Sequence, residues 1–376
     1  MRFTLSSTAL CGKLTALAKV INPKNSLPIL GDVVFKTEGT ILRLTASDGE
    51  NTMITTAPLN ESDCDLTFAV VATNILEAVK SLAEQPITME VDSESSLLKI
   101  SYLNGQFCLP IENTEEFPVM QGVEDGGSSE IRIKSSLLAE NIKRSLFATA
   151  VDTLRPVMTG IYFDLKPEGL TTVASDGHKL VRTTMAGIKT GETKSFILPK
   201  KPATLLNALL DSSSEEETSI KFNDNKAQMT FGDTVIICTL IEGKYPNYSA
   251  VIPKSNDNEI TIDRLSLLGA LKRVAPFANN ASNLIRFKID NGKLVLNAED
   301  LDFSKTANEQ IACEYVGSPM CIGFKGQAFV DVLNNFSCDT VIIKLADPSR
   351  AGLVIPSEQP DGQDVLMLLM PMLISD

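Results

Sequence analysis

The sequence predicts an α+β protein built from three similar domains in tandem, each with two helices packed on antiparallel sheets. Three landmarks carry this expectation. Phe68, Phe196 and Phe324 lie 128 residues apart, each just ahead of a helix-like run. Asp48, Asp176 and Asp300 each close an apolar, strand-like stretch (ILRLTASD, LTTVASD, KLVLNAED), at spacings of 128 and 124. Pro118, Pro246 and Pro371, in FPVM, YPNY and MPML, are 128 and 125 apart. Landmarks that keep one period and one order mark repeated domains rather than a solenoid, whose units run to about 20–50 residues. The period places domains at 1–122, 129–252 and 256–376, with GVEDGGSS (122–129) and PKSNDN (253–258) as connecting segments.

Each third reads as two copies of a smaller unit, an amphipathic helix followed by strands. Leu10, Leu14, Leu17 and Ile21 recur at helical spacing in a first helical segment, 8–24. Strand-like runs follow at 32–37, 41–47 and 52–58. A second helix is expected at 73–84, where Asn74 and Glu77 have capping-box spacing. Strands at 87–92, 97–103 and 106–111 complete the third. The same order recurs with helices near 136–148 and 202–210, and again near 264–275 and 326–336. Turn signals separate the strands, among them Asp48-Gly49, Asn104-Gly105 and Asp290-Asn291-Gly292. Six such units make an arc of three domains. Two arcs joined head to tail would close a ring with twelve helices.

Composition narrows the class. Hydrophobic residues at 43% and charged residues at 22% are ordinary for a soluble globular protein. No stretch approaches 18 apolar residues, and the N-terminus lacks a signal-peptide block, so a cytoplasmic protein with no membrane contact is expected. Seven cysteines without a CxxC, beside a single histidine, argue for reduced thiols and against zinc. No metal or cofactor is expected.

The net charge of −13 taken alone argues against nucleic acid, but its distribution reverses the inference. The six helical segments hold twelve basic and four acidic residues, a net of +8, which leaves −21 for everything else. A ring with helices inside would have a positive bore and a negative exterior. Such a bore suits a polyanion held by charge without reading of bases. On this charge argument Lys143, Arg144, Lys272 and Arg273 are candidate contacts to such a polyanion.

Four motifs then carry a resemblance that covers the whole chain. They are Leu27-Pro28-Ile29-Leu30-Gly31, Ser175-Asp176-Gly177-His178-Lys179-Leu180, Lys244-Tyr245-Pro246-Asn247-Tyr248 and Met370-Pro371-Met372. In order and spacing the chain resembles the bacterial DNA polymerase III beta subunit family, the sliding clamps. The resemblance implies a non-enzymatic homodimeric ring around duplex DNA. It implies sequence-independent DNA binding, with the polymerase III alpha subunit, the clamp loader and other proteins bearing a clamp-binding motif as partners. By position it implies a partner-peptide pocket of Val157, Met158, Ser175, Gly177, His178, Leu180, Pro246, Val251, Leu368, Met370, Pro371 and Met372, framed by Arg155 and Lys179. Methionines and prolines suit a groove that must accept several peptides. The resemblance further implies DNA contacts at Lys24, Lys200 and Lys201, and a dimer contact of Leu82 and Phe107 with Pro276 and Phe277 of a second copy. Two departures stand out: Ala250 replaces a residue that is often basic, and the chain ends Leu373-Ile374-Ser375-Asp376.

Other classes fit less well. Ser175, Asp176 and His178 lie close together, yet no G-x-S-x-G elbow accompanies them. No phosphate-binding G-x-x-x-x-G-K-[ST] loop occurs. Asp300 and Asp302 read as solvated acids after a strand rather than a metal pair. A protein-only scaffold without DNA is the alternative, but it leaves the positive helices without a purpose.

Overall fold

In the computed structural model, which describes residues 1–22, 24–25, 27–152, 154–189, 191–210 and 216–374, one motif occurs six times. A strand leads into a helix, and three antiparallel strands follow. The helices are α1 (Ser7–Leu17), α2 (Ala72–Lys80), α3 (Ser135–Leu146), α4 (Lys200–Leu209), α5 (Arg264–Val274) and α6 (Gly326–Asn334). Most expected strands are present within a residue or two. The six lead-in strands are not among those read from the sequence: Arg2–Ser6, Thr67–Val71, Ser129–Lys134, Lys194–Leu198, Asn258–Asp263 and Met320–Lys325. Each runs without a gap into the helix that follows. In Thr67–Val71 and Lys194–Leu198 an unbroken apolar run leaves periodicity unable to separate strand from helix, although Arg2–Ser6, Ser129–Lys134 and Asn258–Asp263 alternate in burial.

Those strands explain the phenylalanine landmark. Phe68 stands opposite Phe35 in the strand register and stacks on it at 5.2 Å. Phe196 stands opposite Phe163 and stacks at 4.6 Å. In the last third the register shifts, and Phe324 meets Phe287 edge to face at 5.3 Å. The period therefore records one buried aromatic cross-strand pair, used three times.

The chain packs as two compact units, residues 1–139 with 204–240, and residues 140–203 with 241–376. The first unit holds a five-stranded sheet, ordered Glu61–Ser62, Arg2–Ser6, Pro86–Asp92, Leu97–Tyr102, Gly105–Pro110. It also holds an eight-stranded sheet in which Thr234–Thr239 pairs with Asn51–Pro58, Ile236 facing Met53. The second unit holds an eight-stranded sheet in which Lys179–Met185 pairs with Gln363–Leu369, Val181 facing Met367. Its other sheet has four strands, ordered Lys305–Ala312, Lys293–Asp300, Leu284–Asp290, Met320–Lys325. The middle third thus gives strands to sheets shared with each flanking third, because a strand left at an edge carries unpaired backbone groups that a neighbour can satisfy. Two long strands, Gly105–Pro110 and Lys305–Ala312, end their sheets with alternating exposure.

Several local expectations are corrected. The first helix ends at Leu17, so Ile21, Lys19 and Lys24 lie beyond it. Its cap is Ser6, whose Oγ accepts from the Ala9 N–H at 3.1 Å. Glu84, expected in the second helix, instead accepts from Ser6 Oγ at 2.9 Å and from the Thr8 N–H at 3.3 Å, placing a carboxylate at the N-terminus of α1. The Asn74–Glu77 capping box does not form: α2 starts at Ala72 with Val71 at its cap, so Asn74 is already in the first turn. The connecting segments are anchored. The Val123 N–H donates to Gln228 Oε1 at 3.2 Å and Lys221 pairs with Asp125 at 2.5 Å. Asn256 is buried, with Nδ2 donating to the carbonyls of Lys344 and Ala351. Asp300 is buried rather than solvated, and the Asn279 amide bridges it to Asp302.

Candidate functional site

The expected pocket lies within the second unit and grows out of a turn. The strand Gly169–Ser175 ends in Ser175, whose Oγ donates to the Lys179 carbonyl at 2.9 Å and accepts from the Gly177 N–H at 3.1 Å. Asp176 Oδ1 accepts from the N–H groups of His178 and Lys179, both at 2.9 Å, and its Oδ2 pairs with Lys179 Nζ at 2.5 Å. Burial pushes the Asp176 carboxyl up, but the bonds from Lys179 and His178 outweigh it and hold the group below its ordinary range. Gly177 has φ +90°, and a Cβ there would meet Arg155 Nη1 at 2.9 Å. Arg155 Nη2 donates to the Asp176 carbonyl at 3.3 Å. The turn recurs in the first unit, where Gly49 has φ +93° and its N–H donates to Ser47 Oγ at 3.1 Å. A repeated turn that engages the Asp176 carboxylate with backbone N–H groups and Lys179 is scaffolding, and the triad reading fails.

The C-terminal segment closes on this turn. The Met370 N–H donates to the His178 carbonyl at 2.8 Å, and the Met372 N–H to the Gly323 carbonyl at 2.8 Å. Leu180 and Leu368 face each other across the sheet and share a buried cluster with Val173, Tyr245 and Leu353, against which Val157 packs. Tyr245, adjoining Pro246, stacks parallel to Tyr162 at 4.7 Å. Tyr248 donates to Asp164 Oδ2 at 2.7 Å, and burial, with Asp164 beside it, pushes its hydroxyl up to about 12. Beside the cluster a groove of about 820 Å³ is lined by Val251 and Met370 together with Ala250, Lys254, Ser349 and Arg350. Val251 is 54% and Met370 44% exposed, so apolar surface faces solvent there. Pro371 is half-buried beyond the groove. Met158 is buried in its own 3-10 turn, as Leu180 and Leu368 are buried in the cluster. Sequence reading missed Lys254 and Arg350, because neither lies in a motif. Ser375 and Asp376 of the unusual tail lie outside the described residues.

The basic candidates divide. Lys24, Lys143, Lys200 and Lys272 are exposed, and Lys201 is half-buried. Lys200 and Lys201 open α4 with no acid in its first turn. Arg144 does not face solvent. It is 4% exposed, pairs with Glu140 and donates to Gln363 Oε1 at 3.1 Å, so its charge is used inside the unit. Arg273 binds both carboxylate oxygens of Glu309, at 3.2 Å and 3.0 Å from Nε. Arg264, counted as helix charge, donates to the Cys338 and Leu333 carbonyls, and Lys13 pairs with Asp233. The positive excess of the helices is therefore thinner than the residue count implied.

The candidate dimer residues sit near the sheet edges. Phe107 lies in the edge strand Gly105–Pro110 and stacks on Tyr102 at 4.9 Å. Leu82 is half-buried just past α2, and Pro276 and Phe277 are exposed in a 3-10 turn after α5. Among the described residues no group of three or more metal-ligand side chains converges, and no helix is long and apolar enough to cross a membrane.

Six repeated strand–helix–strand units in one chain, with an apolar groove beside the C-terminal segment, define a class: the DNA sliding clamps. Family models agree over nearly the whole chain. The N-terminal, central and C-terminal domains of the DNA polymerase III beta subunit match residues 1–121, 132–247 and 249–372. The chain is 29% identical over 369 residues to a beta sliding clamp of Pseudomonas putida, covering 98% of this chain and 99% of that one. It is 26% identical over 375 residues to one of Caulobacter vibrioides, covering 98% and 100%. A solved Pseudomonas aeruginosa sliding clamp bound to griselimycin superposes with a TM-score of 0.93 at 28% identity, over the full length of both chains. The chain belongs to the DNA polymerase III beta subunit family, whose role is not enzymatic.

Proposed function

We propose that the chain acts in the cytoplasm as a head-to-tail homodimeric ring that encircles duplex DNA and tethers a polymerase through the groove of the second unit. Three domains, 1–122, 129–252 and 256–376, would form each half. One observation carries this. Each of the six repeats ends in a strand, and two junctions inside the chain join such strands: Asn51–Pro58 with Thr234–Thr239, and Lys179–Met185 with Gln363–Leu369. The last strands of the second and fifth repeats, Gly105–Pro110 and Lys305–Ala312, remain at sheet edges. Pairing one with the other of a second copy would repeat the same junction between last strands.

Topology then supplies retention, so phosphate contacts can be weak and mobile. Lys200 and Lys201 support this reading. Cations at a helix N-terminus oppose the helix dipole at a cost of about 0.3–1 kcal/mol each, whereas a phosphate there is favoured by both. Lys24 and Lys143 extend the set, with Lys272. Peptides of the polymerase III alpha subunit, the clamp loader and other partners would lie along Val157, Val251 and Met370, over the buried Leu180 and Leu368. Lys254 and Arg350 put cations on the groove where Ala250 lacks one.

The test is mass by light scattering, then retention on circular and linearised DNA after loading. A dimer that stays on circles and slips from linear ends is expected, with loading reduced at least tenfold by Lys24→Glu, Lys200→Glu and Lys201→Glu together. A monomer indifferent to DNA topology would return the chain to the protein-only scaffold reading.

A further inference from the structure

The first unit contains a second groove, of about 530 Å³, whose chemistry differs from the first. One wall is apolar: Leu27, Pro28 and Ile29 of a 3-10 turn, with Val71. Leu27 is 52% exposed. The other wall is acidic: Asp32, Glu112, Glu115 and Glu116. No basic side chain lines it.

Asp32 sets this groove apart from an ordinary acidic surface. It is only 4% exposed, yet its side chain makes no hydrogen bond or ion pair among the described residues. Buried carboxylates without a partner are rare because desolvation of the charge is uncompensated. Burial, and then the neighbouring Glu112, raise its pKa to about 6. Glu112 is itself fixed in place: its N–H donates to the Ala69 carbonyl at 2.9 Å and its carbonyl accepts from the Ala69 N–H at 3.1 Å.

The repeat shows what the backbone does elsewhere. The turn opened by Pro28 recurs 128 residues on as the turn opened by Pro156, beside the groove of the second unit. Asp32 corresponds at that spacing to Gly160. A Cβ at Gly160 would lie 2.5 Å from the Leu198 carbonyl oxygen and 2.9 Å from Ile241 Cδ1, so no side chain fits there. The first third places a carboxylate where the second has closed, apolar packing.

We propose that this groove is a docking site for an arginine-bearing peptide segment. The guanidinium would enter between Asp32 and Glu112, with aliphatic neighbours lying on Leu27, Pro28 and Ile29. Charge complementarity selects the occupant: the acids have no counter-ion among the described residues, and a planar guanidinium can serve two carboxylates at once. A metal ion fits less well, since no three ligand side chains converge here. The inference does not rest on the clamp reading, because the groove lies wholly within the first unit.

The probe is acetyl-Leu-Arg-Leu-amide, with its citrulline analogue, titrated into the full-length methyl-labelled protein. Saturable shifts at the Ile29 and Val71 methyls are expected for the arginine peptide only, weakened at least tenfold by Asp32→Asn and by Glu112→Gln. The second variant decides the case should the first perturb folding. Equal binding of the citrulline peptide, unchanged affinity in Glu112→Gln, or shifts confined to other methyls would overturn the proposal. So would magnesium or calcium chloride moving these methyls while the peptide does not, which would make this a divalent-cation site.

Discussion

Asp32 occupies a place where ionisation is costly, and the cost has a sign. An acid whose pKa is raised by folding, here from 3.8 to about 6, binds its proton more tightly in the native state. Its stabilising effect is therefore complete below the unfolded pKa and is lost as pH rises through the folded one. Between pH 5.5 and 7.5 the loss is roughly 0.8 kcal/mol for this one group. Urea unfolding of Asp32→Asn at the two pH values should show the difference shrinking by about that amount, and an unaltered pH dependence would place the titration elsewhere. Gly177 is constrained for a different reason. Any side chain there meets both an unfavourable φ and the Arg155 guanidinium. Gly177→Ala should cost about 1–2 kcal/mol of stability and weaken peptide binding at the adjoining groove. Asp176-Gly177 is visible in the sequence as a turn signal. The absence of a partner for Asp32 is not, because it depends on what the strand Thr67–Val71 and the Glu112 segment place around it.

At the scale of elements, the C-terminal segment does work beyond its length. It leaves the strand Gln363–Leu369, bonds to His178 through Met370, and bonds to Gly323 through Met372. Equivalent bonds hold Glu112 to Ala69 and Ile241 to Ile197, so each third ends by folding back onto the lead-in strand of its second helix. Truncation before Met370 should remove peptide binding, by at least a hundredfold, while leaving the dimer mass unchanged in light scattering. Wild-type affinity in the truncated protein would move the pocket away from this segment. Strands with alternating burial were legible from their period-two pattern. Lead-in strands were not: each is short and runs without a gap into its helix, so even the alternation of Arg2–Ser6, Ser129–Lys134 and Asn258–Asp263 is hidden beside the helix pattern. Helix ends were misjudged where a capping pattern, Asn74–Glu77, fell inside the helix.

For the whole molecule, the proposed dimer turns on what meets the edge strands Gly105–Pro110 and Lys305–Ala312. Phe107 on one edge strand and Phe277 beside the other unit's α5 are the aromatic anchors the proposed dimer offers. Phe107→Ala and Phe277→Ala should each weaken the dimer by about 2 kcal/mol, some thirtyfold in dissociation constant, read as the concentration dependence of mass. A dimer unaffected by both substitutions would assign these residues to packing within their own units. Charge at this scale is subtler than a count over helices suggests. Arg144, Arg264, Arg273 and Lys13 are engaged by carboxylates or carbonyls of their own unit, which lowers the positive charge those helices can offer outward.

By itself the sequence determined the threefold repeat, the six helices with the three strands after each, and the residues of the turn and tail that shape the groove. The repeat and its elements follow from local periodicity, turn chemistry and spacing, which the chain carries wherever it folds; the turn and tail residues are what the family resemblance implies. Tertiary structure alone decided which strands share a sheet across the thirds, which basic side chains are engaged at home, and where an acid is buried without a partner. Those outcomes depend on residues far apart in sequence meeting in space, and desolvation and ion pairing act only once they have met.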